Sequence, residues 1–195
     1  MGKVITGFTM SLDGFIAGPN DDIGPLFKWY RSGEVEIPLN DGRFVAKVSA
    51  ASAAIIQEWF TRFGAIVTGR RDFDVSRAWG GKSPMEVPMF IVTHHPPAEW
   101  VYAGSPFNFV TTGVEAALEQ AQQAAGERDV LIGGTRIVQQ LLKARLLDEI
   151  HIELAPLLLG SGIRLFDQLP DLIVLEPILV VDTPSVTHLK YRVIK

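Results

Sequence analysis

The chain has 195 residues, 47% of them hydrophobic and 21% charged, with a formal net charge of −4. That balance suits a soluble protein built as one domain (1–195) and excludes a basic, polyanion-coating surface; the absence of cysteine excludes disulfides, thiolate metal sites and cysteine nucleophiles. No apolar run reaches membrane-spanning length, and the start of the chain lacks a signal peptide's basic-then-apolar order. The expected location is therefore the cytoplasm, with neither membrane nor nucleic acid as a partner.

Residues 3 to 11 read as a first strand, and "LDGFIAGPNDDIGP" after them is loop chemistry rich in glycine, proline and aspartate. From Gly18 to Gly42 no strong periodicity appears, although Leu26, Phe27, Trp29 and Tyr30 form an apolar island. A loop this long in a compact domain predicts a lid or binding loop. Between Phe44 and Phe63 a helical stripe of Val48, Ser52, Ile55, Trp59 and Arg62 predicts one helix, with Gly64 as its C′ residue. "AIVTG" (65–69) reads as a strand, followed by a short helix from Arg70 that stops before Gly80-Gly81. "PMFIVT" (88–93) and "FNFVT" (107–111) are further strands.

Thr112 and Glu115 match a capping box for a helix that ends at Gly126. "DVLI" (129–132) then predicts a strand, and 134–145 a helix with Ile137, Val138, Leu141 and Leu142 inward. Strict alternation opens "DEIHIELAPLLLG" (148–160), and Val186, Leu189, Tyr191 and Val193 mark a closing strand. Strands alternating with helices imply parallel pairing, and a strand-rich C-terminal third implies antiparallel pairs at one edge. The expected fold class is α/β around a mixed sheet, and the strand-rich edge allows a homodimer.

Open α/β sheets bind ligands at the carboxyl ends of their strands. Those ends carry Ser11, Asp13 and Gly14; Gly69, Arg70 and Arg71; Thr93, His94 and His95; and Gly133, Gly134, Thr135 and Arg136. Arginine in a first helical turn is unfavourable unless an anion is near. Asp72 could neutralise Arg70 or Arg71 while Arg136 reaches solvent; taken together, the strand ends favour a phosphate-bearing ligand long enough to touch several loops, as a dinucleotide is. Gly133-Gly134 carries no G-x-G-x-x-G fingerprint, so a standard Rossmann site is disfavoured. No metal is expected: His94 and His95 point to opposite sides of an extended chain, and the common histidine motifs are missing. Asp13 is either a turn aspartate or a catalytic carboxyl. Glu153, in an otherwise apolar strand, faces either water or a pocket, where it would serve as a proton source.

"MSLDGFIAG", "VTGRRDFD", "FIVTHHPP", "VLIGGTRIVQQLL" and "DEIHIELAPLLLGSGIRLF" together resemble, in this order, the dihydrofolate-reductase-like superfamily. They are most similar to the C-terminal reductase domain of the riboflavin-biosynthesis deaminase-reductase and its stand-alone bacterial relatives. The resemblance implies a three-layer fold with a mixed, mostly parallel sheet and antiparallel C-terminal strands. It also implies an NADPH-dependent reductase acting on a C=N or C=O group of a small heterocycle, pterin- or pyrimidine-like. By position, Gly69, Arg70 and Arg71 would grip the cofactor phosphates, with Thr93, His94 and His95 near the 2′-phosphate and adenine. Gly133, Gly134, Thr135, Arg136 and Ile137 would lie beside the pyrophosphate and nicotinamide, and Gly160 in the turn closing over the ring. Asp13 and Glu153 are the expected catalytic carboxyls, with Trp59 and Phe27 lining the substrate site. The acidic residue that dihydrofolate reductases keep early in this helix is missing near Ala53, so folate is a doubtful substrate, and without cysteine the zinc deaminase reaction is excluded. Two alternatives stay open: a non-catalytic dinucleotide-binding or sensing protein on the same fold, and a flavodoxin-like scaffold holding another nucleotide.

Overall fold

Short apolar runs bracketed by glycine become the strands of this protein, whose computed structural model describes residues 1–39, 42, 44–167, 169 and 172–195. In chain order the strands are β1 (Val4–Ser11), β2 (Phe15–Ala17), β3 (Val35–Leu39), β4 (Phe44–Val48), β5 (Phe63–Gly69) and β6 (Met89–Val92). They continue with β7 (Phe107–Val110), β8 (Asp129–Ile132), β9 (Glu149–Ala155), β10 (Ile163–Arg164), β11 (Leu175–Asp182) and β12 (Thr187–Val193). The helices are α1 (Ala50–Arg62), α2 (Arg70–Val75), α3 (Val114–Ala125) and α4 (Thr135–Lys143). Eight strands form one sheet in the order β11-β12-β9-β1-β8-β5-β6-β7. The chain divides into two units, Met1–Thr6 with Arg62–Asp148 and Lys195, and Gly7–Thr61 with Glu149–Ile194.

The first unit is the parallel one. Strands β1 and β8, β8 and β5, β5 and β6, and β6 and β7 all pair in parallel. Six of the seven residues of β5 are buried, as a strand covered on both faces requires. Helix α4 turns Ile137, Val138, Leu141 and Leu142 inward, the face its apolar spacing predicts. Two local expectations are corrected. Gly64 is no helix terminus but lies inside β5, where an added Cβ would come within 2.8 Å of Ala125 on α3; a bare Cα lets strand and helix approach. The Thr112 capping box does not form, because Gly113 at φ 110° occupies the N-cap position and no side chain caps the helix. As expected, the helix from Arg70 stops before Gly80: it ends at Val75, and a 3-10 turn (Arg77–Gly81) follows with Ala78, Trp79 and Gly80 at positive φ, which breaks the helical register.

The second unit is antiparallel. Strand β12 pairs with both β9 and β11, and β3 with β4. The hairpin corrects the expected helix over 44–63. Its first five residues alternate, with Ala46 and Val48 buried while Val45 and Lys47 face out, a period-2 pattern that overrides the helical stripe through Val48. Helix α1 begins after Ser49, whose Oγ accepts the Ser52 N–H at 3.2 Å, an N-cap contact. Its inner face is Ser52, Ala53 and Ile56, so Ile55 is not its buried stripe residue. Within 18–42 the chain makes 3-10 turns at Pro19–Asp21 and Leu26–Tyr30 before β3. Leu26 and Trp29 bury there, and Trp29 joins Ile37, Val48 and Ile56 in one core; positions 40 and 41 of this stretch lie outside the described residues.

Candidate functional site

In the first unit, the ends of β5, β6 and β8 hold the expected nucleotide-binding residues. Thr68 Oγ1 donates to Asp72 Oδ2 at 2.6 Å, and burial pushes the Asp72 carboxyl up against the lowering effect of that bond. Asp72 therefore serves the strand end. The partner of Arg70 is instead Asp74, reached from Nε at 2.7 and 2.9 Å. A second bond, from Arg70 Nη1 to the His95 carbonyl at 2.6 Å, ties the end of β5 to the end of β6. Thr93 is buried, and its Oγ1 accepts the His95 N–H at 3.2 Å. His94, His95 and Arg71 are exposed.

The twin glycine has a packing reason. Gly133 N–H donates to the Val67 carbonyl at 2.8 Å, and a Cβ on Gly133 would stand 2.9 Å from Thr68 Oγ1 and 3.1 Å from Asp72 Oδ2. Gly134 has φ 74° and occupies the N-cap position of α4, its carbonyl accepting from Ile137 and Val138. Ile137 is 4% exposed and packs under Gly69, so it fixes the strand end from below. Thr135 and Arg136 open the helix, and the exposed Arg136 guanidinium has no partner among the described residues. Guanidinium groups, two exposed imidazoles and the first-turn amides of α4 are a donor set that fits a phosphate-bearing dinucleotide.

In the second unit, Asp13 and Gly160 are brought together. Asp13 Oδ2 accepts the Gly160 N–H at 2.7 Å, and Oδ1 accepts from Leu159 N–H at 3.1 Å and Ser11 Oγ at 2.6 Å. The Ser11 hydroxyl, with those two amides and its own, holds the Asp13 carboxyl down to about 2 despite some desolvation. Arg164 adds a bond to the Asp13 carbonyl at 3.0 Å and lies 4.3 Å over the Phe15 ring. The result is an ionised clip joining the "SLDG" turn to the glycine turn, in a group unsuited to giving up a proton at neutral pH. An added Cβ on Gly160 would meet nothing within 4 Å, so the clipped turn is open on that side.

Glu153 shares no hydrogen bond with Asp13 among the described residues. On β9, Glu149, His151 and Glu153 stand opposite Arg192, Lys190 and His188 of β12, so six polar residues share one face. Glu153 is half-buried, and desolvation pushes its carboxyl up to about 7, partly offset by its own backbone amide and the Lys190 charge. Lys190 Nζ donates to both carboxylate oxygens of Glu58 at 2.9 and 3.0 Å. His151 Nε2 lies 3.0 Å from Glu149 Oε2, both residues buried. His188 Nε2 lies 2.9 Å from Ser52 Oγ, and burial with the Lys190 charge pulls the imidazole down to about 4. Trp59 lies across the bare backbone of Gly7 with its ring 5.2 Å from that of His151. Phe27 stacks on Tyr30 at 5.4 Å, and burial with the Glu153 charge raises the Tyr30 phenol.

Sequence reasoning missed His188 and Lys190, and it named Ser52 only as a helical-stripe residue and Trp29 and Tyr30 only as an apolar island. Alternation in "THLKYRV" assigns Leu189, Tyr191 and Val193 to the core and leaves His188 and Lys190 to solvent, yet those two are 1% and 9% exposed. The available signal was that helix α1 offers Ser52 and Glu58, polar groups able to receive such a face.

Residues 2–189 match the model of the RibD C-terminal domain family, and the chain belongs to that family. An uncharacterised Bacillus subtilis (strain 168) protein, YwjB, is 32% identical over 77 residues, a match covering 36% of this chain and 44% of that protein. Among solved structures, a candidate riboflavin biosynthesis protein from Shewanella sp. PV-4 has a TM-score of 0.76 at 22% identity, each chain covered in full. Dihydrofolate reductase from Enterococcus faecalis, complexed with NADP(H), has a TM-score of 0.60 at 13% identity, covering 100% of this chain and 98% of that one. The fold is therefore dihydrofolate-reductase-like, with a mostly parallel sheet and antiparallel C-terminal strands. Among the described residues no helix is long and apolar enough to cross a membrane.

Proposed function

We propose that this member of the RibD C-terminal domain family is an NADPH-dependent reductase of a C=N or C=O group in a small heterocycle. The observation that carries the reading is Glu153, a carboxyl held by its surroundings near pH 7, the range in which a general acid works best. When bound, NADPH supplies the hydride. Glu153 gives its proton to the nitrogen or oxygen of the reduced group, and Lys190 opposite His151 moderates how tightly that proton is held. Asp13 acts as a positioning residue, holding Leu159 and Gly160 in place.

In the first unit, Arg71, Arg136, His94 and His95 with the α4 amides meet the phosphates, while Arg70, Thr93, Gly133 and Gly134 hold the strand ends in shape. A binding-only protein needs no proton carrier, so the shifted Glu153 favours turnover over sensing. A fluorescence titration with NADPH and NADH tests this: binding of NADPH below about millimolar concentration, tighter than NADH, is expected because a 2′-phosphate adds charge-assisted contacts. Failure to bind either nucleotide overturns the reading.

A further inference from the structure

A cavity of about 450 Å³ opens in the first unit where β6 and β7 begin, its walls drawn from the Gly81–Pro88 segment and from Ser105, Pro106 and Asn108. That volume falls within the roughly 300–1,000 Å³ of small-molecule sites. Strand β6 has four residues, so the cavity stands roughly 13 Å, at about 3.3 Å per residue, from the Thr93 end that carries His94 and His95. The two places are separate.

The floor is apolar and its backbone is already committed. Val87 is buried, and Pro88 and Pro106 have no N–H to offer. Their carbonyls accept from Ile66 and Met89 N–H at 3.0 and 3.4 Å. Polarity therefore comes from side chains. Ser83 is 8% exposed, yet its Oγ has no hydrogen-bond partner among the described residues, a state that buried hydroxyls rarely keep. Ser105 Oγ accepts the Phe107 N–H at 3.2 Å, which leaves its own proton to give. Asn108 Nδ2 donates to the Met89 carbonyl at 3.2 Å, which leaves Oδ1 to accept. Lys82 and Glu86 add opposite charges to the same wall, and the Glu86 carboxylate makes no ion pair among the described residues. Glu86 stands at φ 55°, its N–H bonded to the Ser83 carbonyl at 3.2 Å, a backbone conformation that few non-glycine residues adopt.

A ligand with one charge would meet its like in either Lys82 or Glu86, and a neutral ligand would use neither. A molecule that carries both charges matches the pair. We infer that the cavity is a second small-molecule site and takes an amino-acid-like zwitterion. The carboxylate lies toward Lys82 and the two serine hydroxyls, the ammonium toward Glu86 and Asn108 Oδ1, and an apolar side chain over Val87, Pro88 and Pro106. The site does not depend on the reductase reading, because none of its residues belongs to the strand ends assigned to the nucleotide.

The test uses the full chain labelled with nitrogen-15 and three probes that share one side chain. L-leucine carries both charges, L-leucinamide only the cation and N-acetyl-L-leucine only the anion. Leucine at about millimolar concentration should shift the Ser83, Val87 and Asn108 amide signals saturably and leave those of Gly134 and Arg136 in place. Each single-charge probe should bind about tenfold more weakly, the value of one charge-assisted bond. Lys82→Met and Glu86→Gln, both at exposed positions, should each weaken leucine to the same degree, and Ser83→Ala about three- to tenfold. No saturable response, a response centred on Gly134 and Arg136, or equal affinity for the three probes overturns the site; so does leucine binding that ignores all three substitutions. An NADPH titration on the same sample keeps the two ideas apart. Failure of NADPH to bind removes the reductase reading and leaves the leucine response standing, whereas NADPH binding with no leucine response removes the second site only.

Discussion

The two units solve opposite problems with their polar residues. In the first, the polar groups at the strand ends are spent mostly on one another: Thr68 on Asp72, Arg70 on Asp74 and the His95 carbonyl, Thr93 on His95. What is left is a fringe of exposed cations and helix-end amides, suited to a charged ligand that arrives with its own phosphates. In the second unit polar groups go inward, and Glu149, His151, His188 and Lys190 are all buried on one face of β9 and β12. Burial shifts the protonation of Glu153 and His188 in opposite chemical senses, toward the neutral form of each. The lesson is that an exposed fringe offers donors to an anion, while burial shifts the protonation of the carboxyl and imidazole on a buried row.

Breaking that contrast should cost most at Glu153. Replacing Glu153 by Gln should lower turnover of an identified substrate about a hundredfold or more, the usual yield of general-acid catalysis, and leave NADPH affinity unchanged in a fluorescence titration. Unchanged turnover would return the protonation role to another group. The matching change in the first unit, Arg70→Ala with Arg71→Ala, which removes the strand-end tie to the His95 carbonyl together with the Arg71 contact to phosphate, should weaken NADPH about ten- to a hundredfold. NADH should suffer much less, and equal losses would mean that these arginines do not read the 2′-phosphate.

Stability against pH sharpens the contrast further. Glu153 titrates near 7 when folded against an ordinary 4.5, so the folded protein binds more protons between those values and stability falls as pH rises through them. His188 titrates near 4 against 6.5, so its contribution rises with pH over that window and is lost as pH falls through it. The slopes oppose one another from about pH 4.5 to 6.5. Urea denaturation should show Glu153→Gln gaining on the order of 3 kcal/mol relative to wild type between pH 5 and pH 8; a pH-independent difference would refute the burial of that charge. The smallest effect expected is at Gly133→Ala, where the new methyl meets Thr68 Oγ1 and Asp72 and overpacking should cost about 1–3 kcal/mol in the same assay. A neutral result there would show that the strand end can yield.

Much of the architecture was legible because its signals are local. Helix α4 and strand β8 follow directly from apolar spacing between Asp129 and Lys143, and the glycines at 69, 133 and 134 mark strand ends as expected. Where two periodicities overlap, as at Phe44–Val48, strand alternation wins over the helical stripe, since Val48 fits both and the residues before it alternate. Gly64 and Thr112 failed for a different reason: each matches a helix-end pattern, but Gly64 serves a long-range approach to Ala125 and Gly113 supplies the N-cap conformation. Asp13 was picked out by its turn, yet its three clip donors come from Ser11 nearby and from Leu159 and Gly160 far along the chain.

The sequence by itself determined the alternating α/β order, the glycine-marked strand ends and the candidate residues Asp13 and Glu153, because backbone conformation and apolar periodicity are properties of neighbouring residues. Tertiary structure decided which carboxyl holds a proton. Asp13 meets amides that stabilise its charge, whereas Glu153 sits across from His188 in a desolvated face that penalises its own. Charge stabilisation depends on what surrounds a group, and those surroundings are assembled from distant parts of the chain: Leu159 and Gly160 around Asp13, and His188 and Lys190 of β12 around Glu153.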